Sequence, residues 1–412
     1  MKKLIVVLIL LVGAGWAAAG NMEQTSAKLY KKQGELLKSW QFYNESLRKD
    51  SLNLEAYFER GDLLENIAAD TGKIELAKQI AGNVANPAEA LYDLMLADFR
   101  AAQTARKPDD EGIIKKLKKR MDQILQDRWS HFYFVAVQQD SSFRAATGTD
   151  ADVKRGHLRD GLYALDMAIK MLPDKWNAYA LKAQMLVKLD SAAASVTNWE
   201  AALRCIQAAD KNKRESEEYK LGEEVVRESM MIGYFNLGRL DDALKIANAV
   251  LNEDSCNVNA VTIKADAVAR IAADTTLALE KRDSLKTAAI LVLEKAKTCL
   301  KGDTAAVINI LSIIGKFHLQ LSDTSAAIAA FNHLLEHDAK DKEVLFILGV
   351  LYLEGGSFVN TKKARDTFGK LVDAYPDYGP AWINYGIALI RLGENAKGKA
   401  AIEKGKPLGA GR

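Results

Sequence analysis

The sequence predicts an all-α protein built from stacked helical hairpins, and three observations carry that expectation. The composition is one of long helices: of 412 residues, 49% are apolar and 27% charged, with only 6 Pro. Small residues recur at a near-fixed interval, with Gly315 and Gly349 standing 34 residues apart and Gly386 following. Around them large apolar residues fall at helical spacing, as Trp382, Tyr385 and Leu389 do. A helix pair of this size cannot bury its apolar stripe alone, so neighbouring copies must cover it.

Taken in order, the chain opens with Lys2-Lys3, an apolar run from Leu4 to Val12, and Ala17-Ala18-Ala19. That is the pattern of an export signal cleaved after residue 19. Leu4 to Ala19 is only sixteen residues with two Gly, short of the roughly 20 needed to span a bilayer. An uncleaved inner-membrane anchor is the alternative. No Cys follows the apolar run, which argues against a lipid anchor. The mature chain is therefore expected to be exported, to the periplasm or outside the cell.

The mature region starts with a helix over about 20–33, a turn at Gly34, and a partner helix over Leu36–Lys49 with Trp40, Tyr43 and Leu47 on its inner stripe. The next helix begins at Leu54, with Gly61 as its close-approach residue. From Ile67 to about Asp160 the register loosens into an enlarged, irregular repeat. Asn86-Pro87 reads as a capped helix start. A long helix from Pro108 or Asp109 to about Gln139 carries Ile113, Ile114, Leu117, Met121, Ile124, Leu125 and Trp129 on one face. Residues 140–142 and 147–150 read as a surface loop. Regularity returns at Gly161, and helices over about 176–189 and 195–208 form the next pair. The stretches 210–223 and 272–287, rich in Lys, Glu and Asp, predict helices lengthened past the repeats into solvent.

The C-terminal half is the most regular. Tyr234 to Leu244 contains a helix-turn-helix junction around Leu237-Gly238. Leu311-x2-Ile314-Gly315-x2-His318 is followed by Ala327-x3-Phe331. Leu345-x2-Leu348-Gly349-x2-Tyr352 is followed by Ala364-x3-Phe368 and Tyr375-Pro376, with an insertion near Gly355-Gly356-Ser357. The last copy runs from Gly379 to Gly405, its second helix over about 396–404 carrying Gly398 and Gly405.

These copies resemble the tetratricopeptide repeat family, whose pattern is W-x2-L-G-x2-Y, then A-x3-F, then P over 34 residues. In the last copy Tyr385 stands for the family's Leu and Leu389 for its Tyr. The resemblance implies a right-handed superhelical solenoid of about eight or nine hairpins. Its expected divisions are residues 20–172 with the irregular repeat, 173–405 with the regular ones, and a short tail at 406–412. It also implies that the first helix of each hairpin lines a concave groove that holds partner peptides. Carried over, the lining comprises Phe58, Asp62, Glu65 and Asn66 near the start. Toward the end it comprises Phe346, Val350, Leu353, Ile383, Ile387, Ile390 and Arg391. The early lining is polar and acidic. The late lining is apolar, and on a solvent-facing surface six such groups would suit an apolar helix or strand of a partner.

Signals for chemistry are sparse. No phosphate loop, dinucleotide fingerprint, nucleophile elbow or C-x-x-C pair occurs. His333-Leu334-Leu335-Glu336-His337 has the H-x-x-E-H form in which two His one turn apart hold zinc beside a basic Glu. On a repeat helix, however, Leu334 should face inward and the two His outward. His318 takes an aromatic core position. The run Lys115-Lys116-x-Lys118-Lys119-Arg120 reads as the wet face of an amphipathic helix, with contact to an anionic surface as the other reading. Lys and Arg total 57 against 54 acidic residues, which gives no case for nucleic acid. Cys205, Cys256 and Cys299 are an odd number for an oxidising compartment. Separate half-buried thiols and a Cys256 to Cys299 bridge both remain open.

The expected function is a non-catalytic protein-interaction scaffold of the bacterial cell envelope, taking a protein or peptide partner in its groove. It should need no cofactor or metal and insert in no membrane once the signal is removed. Two other classes stand beside it. One is a zinc-dependent hydrolase on His333, Glu336 and His337. The other is a structural oligomer that self-associates through the last repeat, because the 406–412 tail is too short and Gly- and Pro-rich for a polar capping helix.

Overall fold

The computed structural model describes residues 22–105, 111–146 and 151–409. The expected export signal at 1–19 lies outside the described residues, as do Pro108, Asp109 and the expected loop at 147–150. Among the described residues there are twenty α-helices, one 3-10 turn and no strand. The fold is thus all-α, and the chain divides into two compact units, up to Ala178 and from Tyr179.

In the first unit α1 (Met22–Lys32) and α2 (Leu36–Lys49) form the expected hairpin. Ser39 Oγ donates to the Ala27 carbonyl at 2.8 Å, pinning two small residues where the helices meet. Helix α3 (Leu54–Ala68) starts at Asn53, whose Oδ1 accepts from Ala56 N at 3.0 Å. Such a cap satisfies one orphan amide and contributes about 1 kcal/mol. The 3-10 turn (Thr71–Lys73) and the short α4 (Ile74–Ala81) then intervene, and it is α5 (Pro87–Thr104) that lies along α3 as its hairpin partner. The start of α5 is as the sequence predicts, with Pro87 in its first turn and Asn86 Oδ1 accepting from Glu89 N at 3.2 Å. The irregular repeat is therefore a hairpin with a helix inserted.

Helices α6 (Glu111–Ala145) and α7 (Ala151–Met171) pair with each other along their length. Residues 140–142, expected as loop, are helical. Asp140 is buried and accepts from Arg144 Nε at 2.7 Å one turn on, and Ser141 Oγ donates to the Val137 carbonyl at 2.9 Å. Both bonds fit a continuing helix, so these loop-type residues do not end it.

The second unit begins inside α8 (Trp176–Lys188) and continues as α9 (Ala192–Ala208), α10 (Lys211–Glu215), α11 (Glu217–Asn236), α12 (Leu240–Glu253), α13 (Val258–Ala273) and α14 (Leu279–Cys299). It closes with α15 (Thr304–Gln320), α16 (Thr324–His337), α17 (Lys342–Glu354), α18 (Phe358–Ala374), α19 (Gly379–Arg391) and α20 (Asn395–Gly409). From α11 onward each helix packs on the one before and the one after. The stretches 210–223 and 272–287 differ from expectation. Ser216 ends α10 and caps α11, and the chain leaves helix between Ala273 and Leu279. Lys286 is buried rather than solvated, its Nζ donating to Asp283 Oδ1 at 2.9 Å.

The recurrent Gly residues mark the closest helix approaches. A methyl placed on Gly315 would collide with Phe331 Cε1, and one on Gly349 would lie 2.6 Å from Phe368 Cζ. Gly61 stands in the same relation to Phe99, at 2.6 Å from Cε1. All three rings are buried, each burial contributing roughly 2–3 kcal/mol. In the last hairpin backbone meets backbone: a methyl on Gly386 would lie 2.5 Å from the Gly398 carbonyl oxygen, and one on Gly405 2.7 Å from that of Gly379. The Gly residues of this second helix are what let it approach so closely.

Residues 406–409, expected as tail, continue α20 with Pro407 inside its last turn. Pro407 has no N–H to offer the Glu403 carbonyl, so this last turn lacks one helical hydrogen bond. The exposed side of α20 carries Lys397, Lys399, Glu403, Lys404 and Lys406, so the last described helix presents a polar surface.

Cys256 and Cys299 form a disulfide with Cα atoms 5.9 Å apart, across 43 residues. It joins the start of α13 to the end of α14, while Cys205 is half-buried in α9.

Three outcomes are expected. Gly386→Ala should destabilise the second unit by about 1–3 kcal/mol through overpacking. Gly156→Ala, in α7 with nothing within 4 Å of the added carbon, should stabilise by about 0.4–1 kcal/mol; urea unfolding followed by circular dichroism checks both. Reduction of the disulfide should cost about 4 kcal/mol on chain-entropy grounds, read as a lower urea midpoint with dithiothreitol than without.

Candidate functional site

The early groove residues sit on one face of α3, and that face is covered. Phe58 is wholly buried, stacked on Phe99 of α5 with ring centroids 5.8 Å apart. Above it lies the Arg120 guanidinium of α6, 4.9 Å from the ring centroid. Asp62 Oδ2 pairs with Lys31 Nζ at 2.5 Å, and its other oxygen is 4.0 Å from Arg120 Nη2. Glu65 Oε1 lies 3.0 Å from Arg128 Nε. Burial pushes the Glu65 carboxyl above its ordinary range, and Arg128 draws it partly back. Asn66 alone remains exposed, its Nδ2 donating to the Asp62 carbonyl at 2.6 Å. Phe58, Asp62 and Glu65 therefore do not line an open groove: α6 lies over them.

Sequence reading misses the cations that do this. Arg120 reads as the end of the lysine run, yet it turns back over α3 while Lys115, Lys118 and Lys119 stay exposed. A readable sign is its spacing of eight from Arg128, which puts both arginines near the Leu117 and Met121 stripe. Arg60 escapes notice too. Its Nε and Nη2 donate to Asp98 Oδ2 and Oδ1 at 2.9 and 2.6 Å, and its Nη1 to Asn44 Oδ1 at 2.6 Å. This fork ties α2, α3 and α5 together around a carboxylate whose side chain is only 5% exposed. Burial pushes the Asp98 carboxyl up, and Arg60 opposes the rise.

The late groove residues are not an exposed apolar patch either. Phe346 is half-buried, edge-on to Phe368 at 6.0 Å and to Tyr378 at 5.6 Å. Val350 and Ile387 are half-buried against the same core, and Leu353 is buried. Ile383 and Ile390 turn onto Gly405 and Gly398 of α20, filling the room those glycines leave. Arg391 is exposed and donates from Nη1 to the Leu353 carbonyl at 2.7 Å, bridging α17 and α19. What reaches solvent is a shallow surface of Phe346, Val350 and Ile387 edged by Arg391. Beside α17, a cleft of about 400 Å³ is bordered by Tyr375, Pro376, Asp377, Tyr378 and Pro380. The Lys342 ammonium lies within it, 4.2 Å from the Tyr378 centroid.

His333 and His337 share the outer side of α16, ring centroids 5.4 Å apart, while Leu334 is buried. Among the described residues no group of three His, Cys, Asp or Glu is placed to hold a metal. His318 is half-buried, its Nδ1 3.6 Å from Asp323 Oδ2. No helix among the described residues is long and apolar enough to cross a membrane.

Residues 314–360, from the end of α15 to the start of α18, match the tetratricopeptide repeat family pattern. No curated protein matches the chain. Among solved structures, a crystal structure of MamA aligns over 45% of this chain and 90% of its own, at 19% identity and a TM-score of 0.36. A thermophilic tetratricopeptide repeat protein of Thermus thermophilus aligns over 52% of this chain and 99% of its own, at 17% identity and a TM-score of 0.31.

Arg60→Ala strands the Asp98 carboxylate and should cost about 3–5 kcal/mol. With Arg60 gone the Asp98 pKa rises further, so the folded chain keeps a proton that the unfolded chain has released. The variant should then be most stable below about pH 4 and lose stability as pH rises through the folded-state pKa. Urea unfolding over a pH series checks this, and adding Asp98→Asn should flatten the profile.

Proposed function

We propose that this chain, a tetratricopeptide repeat protein, is a non-catalytic scaffold of the bacterial cell envelope whose hairpins hold segments of a partner protein. The observation that carries the reading is the use of the chain. Helices of stacked hairpins take up the described residues from α1 to α20, and those residues include no second type of domain. Arrays of this kind present extended surfaces for other proteins. The α17–α19 surface is the contact we assign to the partner. Phe346, Val350 and Ile387 lie on consecutive first helices, half-buried and therefore already ordered, with Arg391 at their edge. An apolar helix or strand would cover them at little cost in side-chain ordering.

Two features support the envelope location. Residues 1–19 have the charge and apolar pattern of an export signal. The Cys256–Cys299 disulfide is of a kind that persists in oxidising compartments and is rare in the cytosol.

Both parts are testable in one set of cells. In intact bacteria making the full chain, Cys256 and Cys299 should resist a thiol-alkylating reagent until reduced, and deleting residues 2–19 should make both reactive. Two reactive thiols in the full chain would end the envelope reading. Crosslinked partners of the full chain should be lost selectively from a Val350→Asp, Ile387→Asp variant. An unchanged partner set would remove the α17–α19 surface from the function.

A further inference from the structure

The acidic, aromatic-floored face of α3 and α5 is occupied by the chain's own helix, and the fit of that helix is imperfect. Arg120 has a side chain 55% exposed and reaches Asp62 only at 4.0 Å. Arg128 Nε, though 3.0 Å from Glu65, is buried without a hydrogen bond of acceptable geometry. The Tyr43 hydroxyl is fully buried and unpartnered, and Glu59 and Asp62 are the charges that bear on it. On α6 itself the indole Nε1 of Trp129 is likewise buried without a partner. Of these, Arg128 and Tyr43 lie by the α3 carboxylates that α6 covers, whereas the Trp129 ring lies against Tyr133 and Lys175. Meanwhile α6 packs chiefly along α7 and touches α3 and α5 over a short stretch. A contact that is short, charged and incompletely bonded is one that a better-fitting helix can replace.

We propose that this face is a docking site for a basic amphipathic helix of a partner protein, and that residues 117–129 of α6 hold it in the free chain. The partner helix presents two guanidinium groups about two turns apart, flanking apolar side chains. One guanidinium stacks on Phe58 beside Asp62, and the other meets Glu65. The three carboxylates Glu59, Asp62 and Glu65, spaced three apart on α3, set the sign of the partner's charge. The buried Phe58 and Phe99 pair sets its need for planar cations rather than ammonium groups. This inference deepens the scaffold reading by naming a partner chemistry. It rests on a different surface from α17–α19 and does not depend on export.

The test uses the full chain and a fluorescein-labelled synthetic peptide of residues 113–132, read by anisotropy. Arg120→Glu with Arg128→Glu turns the internal helix against Glu59, Asp62 and Glu65. That variant should bind the peptide at least tenfold more tightly than wild type, and less tightly as salt is raised. Adding Glu65→Lys should abolish the gain. Should the double variant lose helical circular dichroism, Arg120→Ala, at an exposed side chain, gives a second reading with a several-fold gain expected. Equal binding by wild type and variants, or binding by none, overturns the proposal. So does a variant that dimerises by size-exclusion chromatography without binding peptide, because the face would then serve a second copy of the chain.

Discussion

The structure depends on how closely two helices of a hairpin can approach. Each second helix brings a large side chain, and the first must offer a residue with nothing to displace. At Gly61, Gly315 and Gly349 the large side chain is a phenylalanine that lies where a β-carbon would be. The ring is then buried on all sides, and the contact fixes the register of the pair as a knob fixes its hole. Elsewhere the chain meets the same constraint differently. Ser39 on Ala27 and Ser195 on Ala183 use a hydroxyl that donates to the facing carbonyl, at 2.8 and 2.9 Å. The last hairpin drops the ring altogether and sets Gly386 against Gly398. Backbone then packs on backbone, and Ile383, Ile390 and Ile402 close the gap from both sides.

That constraint explains why the repeats were legible and why the irregular segment was not. Gly and Phe are needed for steric reasons at fixed offsets, so their spacing survives in the sequence wherever the connection is short. In the N-terminal unit the same Gly–Phe contact forms between Gly61 and Phe99, but the 3-10 turn and α4 lie between them. The packing rule is unchanged while the separation is more than doubled relative to Gly315 and Phe331. A period search cannot see a partner whose distance along the chain is set by an insertion. The helix through 140–142 was hidden for another reason. Asp and Ser favour loops only when their side chains compete for backbone, and here they bond within the helix.

The candidate surfaces show the same limit. Resemblance places a residue on the first helix of a hairpin, but whether that face meets solvent depends on what lies opposite. For Phe58 and Glu65 the opposing element is α6, more than fifty residues away in sequence. Its two arginines look, in one dimension, like the end of a lysine run and a helix-surface charge. For Ile383 and Ile390 the opposing element is nearer, and the signal was present: Gly398 and Gly405 leave room that large neighbouring side chains fill. Glycines in a second helix are better read as a statement about its partner than as a weakness of the match.

The disulfide completes the argument about approach. Between Gly238 and Gly302 the chain has no glycine, and between Phe235 and Phe317 it has no phenylalanine. The α13–α14 hairpin lies within that stretch, with a core of Ala, Val, Ile and Leu side chains such as Ala265, Val268, Ala289 and Leu293. A hairpin without a ring seated on a glycine lacks the contact that sets the register of the α15–α16 hairpin after it. Cys256 precedes α13 and Cys299 ends α14, so the bridge closes the end of the hairpin opposite its connecting loop. A covalent tie there restricts the unfolded ensemble of the segment whose packing is least specific. Stability of this repeat thereby becomes conditional on an oxidising surrounding, while the α15–α16 hairpin that follows, held by Phe331 on Gly315, carries no such condition.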